Sequence, residues 1–238
     1  MKNNFSFKPA FPNLVTTANI FFGFWSVIKV AQGDFLYGAY FILIAAVADA
    51  LDGIVARMIN TSSKFGVELD SLADAVSFGL APAFLIYSAF LTVFEGWGIA
   101  VSSLLLIFGA YRLARFNSTL LGFDKKHFVG LPIPASAIMI ASYVIMFANE
   151  DYMQKNYAGY AVFLTLFLSF LMVSKIRYDT LPKFSRLSLK ENKYIVSVIL
   201  VSIPLLIIFG LKVLFYIFIF VILFGIFRHI VRYFLKKK

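Results

Sequence analysis

The chain has no cysteine, two histidines (His127 and His229) and charged side chains at only 14% of its 238 positions. The missing cysteines exclude disulfides, thiolate zinc sites and a cysteine nucleophile. Two histidines leave no room for a histidine-rich metal centre. Soluble domains average about 25% charged residues, so this chain lacks the polar surface that a water-soluble globule needs. Intrinsic disorder is excluded from the other direction, because 61% of the residues are hydrophobic. A polytopic membrane protein remains.

A spanning helix needs roughly 20 apolar residues. Eight stretches qualify, near residues 14–31, 35–58, 69–92, 97–114, 131–149, 157–174, 194–210 and 212–234. They predict an all-α polytopic helical bundle in three parts: a six-span body over 1–178, a basic loop over 179–193, and a two-span C-terminal hairpin with a basic tail over 194–238. Little more than Gly210 and Lys212 separates the last two stretches, so seven spans, or six plus a peripheral hairpin, stay open. The opening MKNNFSFKPAFPN has a basic start, and no small-residue cleavage site follows the first apolar stretch, which therefore reads as a retained helix. No internal repeat is visible, nor the inverted pair of broken helices that marks many secondary transporters.

Basic residues set the expected orientation. One side holds Lys2, Lys8, the 57–64 loop, Arg112 through Lys126, the 175–193 loop and the tail from Arg228. These make nineteen of the 22 Lys and Arg, against only Lys29, Lys155 and Lys212 on the other side. Positive short loops face the cytoplasm, so both termini are expected there, in a cytoplasmic membrane. The net charge of +10 follows from this bias and suits anionic headgroups. Dispersal of the charges among hydrophobic spans argues against nucleic acid as a partner.

Five of the 12 acidic residues (Asp49, Asp52, Glu68, Asp70 and Asp74) fall within 26 positions, four of them inside the second and third spans. Intramembrane carboxylates are costly and functional by default. Asp49 and Asp52 stand at i, i+3, and Asp70 and Asp74 at i, i+4, so each pair shares one helix face. A short loop joins the two spans, which brings both pairs to the same membrane end. Unpaired, the four would repel or protonate. Two hard divalent cations relieve that, since all-oxygen sites suit Mg²⁺, Mn²⁺ or Ca²⁺. The competing explanation is a structural ion network with Arg57, Lys64, Arg112 and Arg115, and a divalent-cation transporter is a third. Neither accounts as well for Gly53, Ala56 and Gly66, which leave room for a ligand beside the acids.

Asp49-x-x-Asp52-Gly53-x-x-Ala56-Arg57, eight residues, then Gly66-x-x-x-Asp70-x-x-x-Asp74 resembles the complete signature of the CDP-alcohol phosphatidyltransferase family. Three further segments resemble its phosphatidylserine synthase branch: Pro12 to Thr16 with Asn19, Arg112-Leu-Ala-Arg115-Phe-Asn117, and Phe128 to Ala135 with Gly130, Pro132 and Pro134. The resemblance implies a membrane enzyme, usually a homodimer, that moves the phosphatidyl group of CDP-diacylglycerol to L-serine and releases CMP. It implies metal ligation by Asp49, Asp52, Asp70 and Asp74, with Asp70 and Asp74 catalytic and Asp74 also the general base. Asp52, Gly53, Ala56, Arg57 and Gly66 would accommodate the nucleotide donor around Mg²⁺ or Mn²⁺, in a paired site.

For the acceptor, Asn13, Thr16, Arg112, Arg115 and Asn117 are the candidates, because a guanidinium matches the serine carboxylate. Anchoring by positive charge is the competing explanation for the two arginines, and helix capping explains the polar residues of the first span equally well. Glycerol 3-phosphate or inositol phosphate is the alternative acceptor within the family. His127 lies in the basic loop near the acceptor motif and reads as a loop residue without a role in the site, His229 as a membrane-surface group, and the 29 phenylalanines as packing and lipid-facing residues.

Overall fold

The computed structural model of the chain describes residues 10–59, 64–119, 128–147, 157–178, 202 and 204–235. Helix α1 (Ala10–Ala31) and helix α2 (Phe35–Ile59) form an antiparallel hairpin. Its turn needs one left-handed residue, supplied by Gly33 at φ 86°. Lys29 closes the turn with an ion pair to Asp34 at 3.2 Å. Farther in, Ser26 Oγ donates to the Gly38 carbonyl at 2.8 Å and locks the two helices together.

The next helical run covers Phe65–Ser118, 54 residues of mean hydropathy 1.8. At about 1.5 Å per residue that is far longer than a ~30 Å bilayer core, and the chain folds it into two. Helix α3 (Lys64–Asp74) passes into a π-helical turn (Ala75–Leu80), helix α4 (Ala81–Ile86), a second π-helical turn (Tyr87–Leu91) and a 3₁₀ turn (Thr92–Phe94). Pro82 explains the first irregularity: it has no N–H to give residue 78, and its ring would strike that carbonyl. The wider turn accommodates it, with the Ala81 N–H reaching back to the Val76 carbonyl. The chain reverses at Glu95 (φ 47°) and returns as helix α5 (Glu95–Thr119).

Helices α6 (Ile133–Phe147) and α7 (Ala158–Val173) complete the packed body. A two-residue antiparallel pair, β1 (Phe128–Val129) with β2 (Arg177–Tyr178), ties the approach to α6 to the end of α7. Backbone bonds from Gly130 N to the Ile176 carbonyl (2.8 Å) and from Leu131 N to the Leu171 carbonyl (3.0 Å) extend the tie. Beyond it, the run Pro204–Arg232 has mean hydropathy 2.9. Gly210 interrupts it at φ 67°, after which helix α8 (Val213–Leu235) lays Phe215 against Tyr143 and Phe147 of α6. The expected span at 194–210 lies largely outside the described residues, as do the 179–193 loop and His127.

The all-α membrane bundle expected from composition is what forms, with one two-residue ladder as its only described sheet. Helices α3 and α5 extend past their apolar stretches by a turn or more. Those extra turns carry the polar residues Glu68, Asn117 and Ser118. Phe78, Leu85, Phe90, Ile133, Ile140 and Leu168 fill the centre, whereas Phe21, Phe24, Trp97 and Phe163 stand exposed on the outer faces. An exposed apolar belt of this kind suits lipid or another protein surface rather than water.

Gly130 sits at φ 87°, and a Cβ there would collide with the Met172 carbonyl. Gly130→Ala is expected to destabilise the protein by about 1–3 kcal/mol, read as a lower midpoint in a thermal melt in detergent. Gly159→Ala, which meets no neighbour within 4 Å, serves as the control and leaves the midpoint unchanged or raised.

Candidate active site at the carboxylate end of the bundle

Asp49 and Asp52 lie on the last three turns of α2, and Asp70 and Asp74 on the last two of α3. Helical spacing puts each pair on one face, and the packing turns those faces toward each other. One carboxylate oxygen each from Asp49, Asp70 and Asp74 lies within 4.8 Å of the others. Asp52 does not join that trio. Its carboxylate, 7% exposed, accepts a short hydrogen bond from the Thr16 hydroxyl of α1. The four acids repel one another across the cluster.

Some positive charge reaches them. Arg112 of α5 is 6% exposed and attracts Asp74. Asn117, also on α5, donates from Nδ2 to Ser71 Oγ at 2.9 Å, which fastens the end of α5 to the turn of α3 between Asp70 and Asp74.

Arg115 behaves differently. Its guanidinium donates to the Val173 carbonyl at 3.1 Å and the Met172 carbonyl at 3.4 Å. These are the carbonyls that the end of α7 leaves open, and a cation suits that end of a helix. Arg115 therefore caps α7 beside the β1–β2 ladder. Asn13 offers its backbone carbonyl to Thr17 Oγ1 at 2.7 Å. Gly53 and Gly66 are half-buried near the acids, while the side chains of Ala56 and Arg57 are outside the described residues.

The donor set is hard oxygen throughout, three carboxylates converging from two helices, which fits a divalent cation such as Mg²⁺ or Mn²⁺. Asp74 Oδ1 adds an independent sign, since it is buried with no hydrogen-bond partner among the described residues. A carboxylate oxygen in that state calls for a cation or a donor.

The family model for CDP-alcohol phosphatidyltransferases matches residues 10–173. The chain belongs to the CDP-alcohol phosphatidyltransferase family. The matched range begins at the first residue of α1 and ends at the last of α7, so the family body holds the whole carboxylate site and α8 lies beyond it. The chain is 38% identical over 192 residues to a Helicobacter pylori protein named CDP-diacylglycerol–serine O-phosphatidyltransferase, covering 81% of this chain and 80% of that one. It is 37% identical over 171 residues to the archaetidylserine synthase of Methanothermobacter thermautotrophicus (71% and 69% covered). A Bacillus subtilis protein, also named CDP-diacylglycerol–serine O-phosphatidyltransferase, is 30% identical over 184 residues (77% and 97% covered).

Two site-adjacent serines escape a reading based on charge. Ser71 lies between Asp70 and Asp74, and Ser77 lies one turn past Asp74, where its hydroxyl donates to the Asn19 carbonyl at 2.8 Å. Their spacing from Asp74 was the available signal.

Removing the cap tests the role of Arg115. Arg115→Leu is expected to cost about 1.5–3 kcal/mol, the worth of hydrogen bonds from a charged donor. A thermal melt without substrate reads it, and Arg115→Lys recovers part of the loss.

Proposed function

We propose that this phosphatidyltransferase moves the phosphatidyl group from CDP-diacylglycerol to the hydroxyl of L-serine, giving phosphatidylserine and CMP in a divalent-metal site. The observation that carries this reading is the meeting of Asp49, Asp70 and Asp74 oxygens within 4.8 Å at the membrane end where Arg112 and Asn117 also arrive. The names of the relatives support the acceptor, since all three contain serine.

Asp49, Asp70 and Asp74 would hold the cation pair, with Asp52 completing the set from its place beside Thr16. Bound there, Mg²⁺ or Mn²⁺ supplies charge neutralisation of the pyrophosphate and of the departing CMP. The chain's own residues do the rest. Gly53, Ala56 and Gly66 leave space for the cytidine diphosphate, and Arg57 steers a phosphate. Asp74 takes the proton from the serine hydroxyl. That oxygen bonds to the phosphorus bearing the diacylglycerol, and the bond from this phosphorus to the CMP oxygen breaks with its electron pair. Arg112 offers its guanidinium to the serine carboxylate, and Asn117 stands beside it. Asn13 and Thr16 border the cleft, and Arg115 steadies its floor.

The reading includes a homodimer, as the family resemblance implies, with the site and both termini on the cytoplasmic side of the cell membrane. Lys29 and Lys212, at the end away from the acids, support that orientation: Lys212 lines a hollow with Leu36 at the start of α2.

CMP release from CDP-diacylglycerol tests the proposal with L-serine, glycerol 3-phosphate and inositol phosphate as acceptors. Release is expected with serine and Mn²⁺ or Mg²⁺, and turnover with glycerol 3-phosphate alone would overturn the serine assignment. Asp74→Asn should lower turnover by about 10²–10⁴-fold, the span of general-base catalysis. Cation binding has its own measurement. At a hundredfold excess over Kd, Mn²⁺ should stabilise the protein by about 2.7 kcal/mol, and Asp49→Asn or Asp70→Asn should remove most of the rise in melting temperature.

A further inference from the structure

Helix α1 carries polar residues at Thr16, Asn19 and Ser26, with Gly23 between them at the same helical spacing. All three polar side chains are buried, at 3%, 0% and 0% exposure. Thr16 bonds to Asp52, and Ser26 bonds to the Gly38 carbonyl. Asn19 differs from both. Neither Oδ1 nor Nδ2 of its amide has a hydrogen-bond partner among the described residues. Its backbone carbonyl accepts from Ser77, and that contact leaves the amide untouched.

A wholly buried primary amide with two donors and an acceptor oxygen is expensive to leave unsatisfied. In native proteins such groups are met by protein or by ordered water. The neighbourhood indicates which. Asn19 lies one helical turn from Thr16, at the level of Ser77, which lies three residues past Asp74. The approach is close: a Cβ on Gly23 would collide with Ser77 Oγ. Asp74 Oδ1 is the other buried side-chain atom without a partner on these facing turns. An unsatisfied donor and an unsatisfied anionic acceptor on packed helical turns are groups of the kind that one bridging water satisfies. Internal waters typically make about three such bonds.

We propose that Asn19 is a positioning residue, whose amide holds an ordered water against Asp74 and so fixes the orientation of that carboxylate. The water accepts a hydrogen from Asn19 Nδ2 and donates one to Asp74 Oδ1. A carboxylate oxygen has a second lone pair, so the bridge and a cation can share it. Partners of this kind orient ligating carboxylates, and their loss typically lowers metal affinity or activity about 10–100-fold. The inference rests on the role given to Asp74 above and adds a residue that takes no part in the chemistry itself.

The test compares the full-length wild type with Asn19→Leu, Asn19→Ala and Asn19→Ser, using Mn²⁺ as the probe. Melting temperature against Mn²⁺ concentration gives the binding midpoint without turnover. Asn19→Leu and Asn19→Ala should move it about 10–100-fold higher and lower kcat, with KM for CDP-diacylglycerol and serine within twofold. Asn19→Ser, which keeps a hydroxyl for the water, should recover most of both. Should Asn19→Leu fail to fold, Ser against Ala decides: equal midpoints and equal kcat overturn the proposal. A density map of the wild type showing no water between Asn19 and Asp74 also overturns it. Failure of serine as acceptor would leave the map and the midpoints standing, so the two readings fail separately.

Discussion

Mutual repulsion among carboxylates held in a membrane-spanning bundle is the constraint to which the rest of the fold answers. Three oxygens within 4.8 Å from Asp49, Asp70 and Asp74 form an arrangement that the acids' own repulsion works to push apart. Two helices must therefore be held rigidly enough to keep the acids together, and the surroundings must temper their charge without cancelling it. Arg112 offers a buried countercharge, and Thr16 engages Asp52 from a third helix.

The rigidity comes from the helices around the acids. Pro82 forces the π-helical turn that begins immediately after Asp74, and π-bulges cluster at functional sites for the reason visible here. The widened turn alters the rotation of the chain on either side of it. It also presents Ser77 to α1 and Gly79 to α5, where Leu106 approaches within 3.0 Å of the position a Cβ would take. The same end of the bundle is braced by Arg115 on the carbonyls of α7 and by the backbone bonds of Gly130 and Leu131. The carboxylate end is thus cross-linked by polar contacts, and the remainder of the bundle is held mainly by apolar packing.

Helix α1 shows how a hydrophobic span can serve a polar site. Its outer face carries Phe21, Phe24 and Trp25, with Trp25 stacked on Phe41 at 4.4 Å, and its inner face carries Thr16, Asn19 and Ser26. The apolar total hides this division. A span that is hydrophobic by average can still present one polar stripe, and the stripe is buried because it faces Asp52, Ser77 and Gly38 on the helices packed against it.

Much of this was legible in the residues themselves. Too little charge for a soluble surface determined the membrane class, and the spacings of Asp49 with Asp52 and of Asp70 with Asp74 determined which acids share a face. Those are local matters, because helical periodicity operates within one segment. What only the tertiary structure decided is how the segments rotate against each other. Asp52 turns to Thr16 while the other three acids converge, and Arg115 caps α7 although its motif neighbour Arg112 sits where it attracts Asp74. Asn19 is left with an unsatisfied amide one turn below Thr16. Each depends on a partner distant in sequence, and spacing along one helix carries no information about the azimuth of the next.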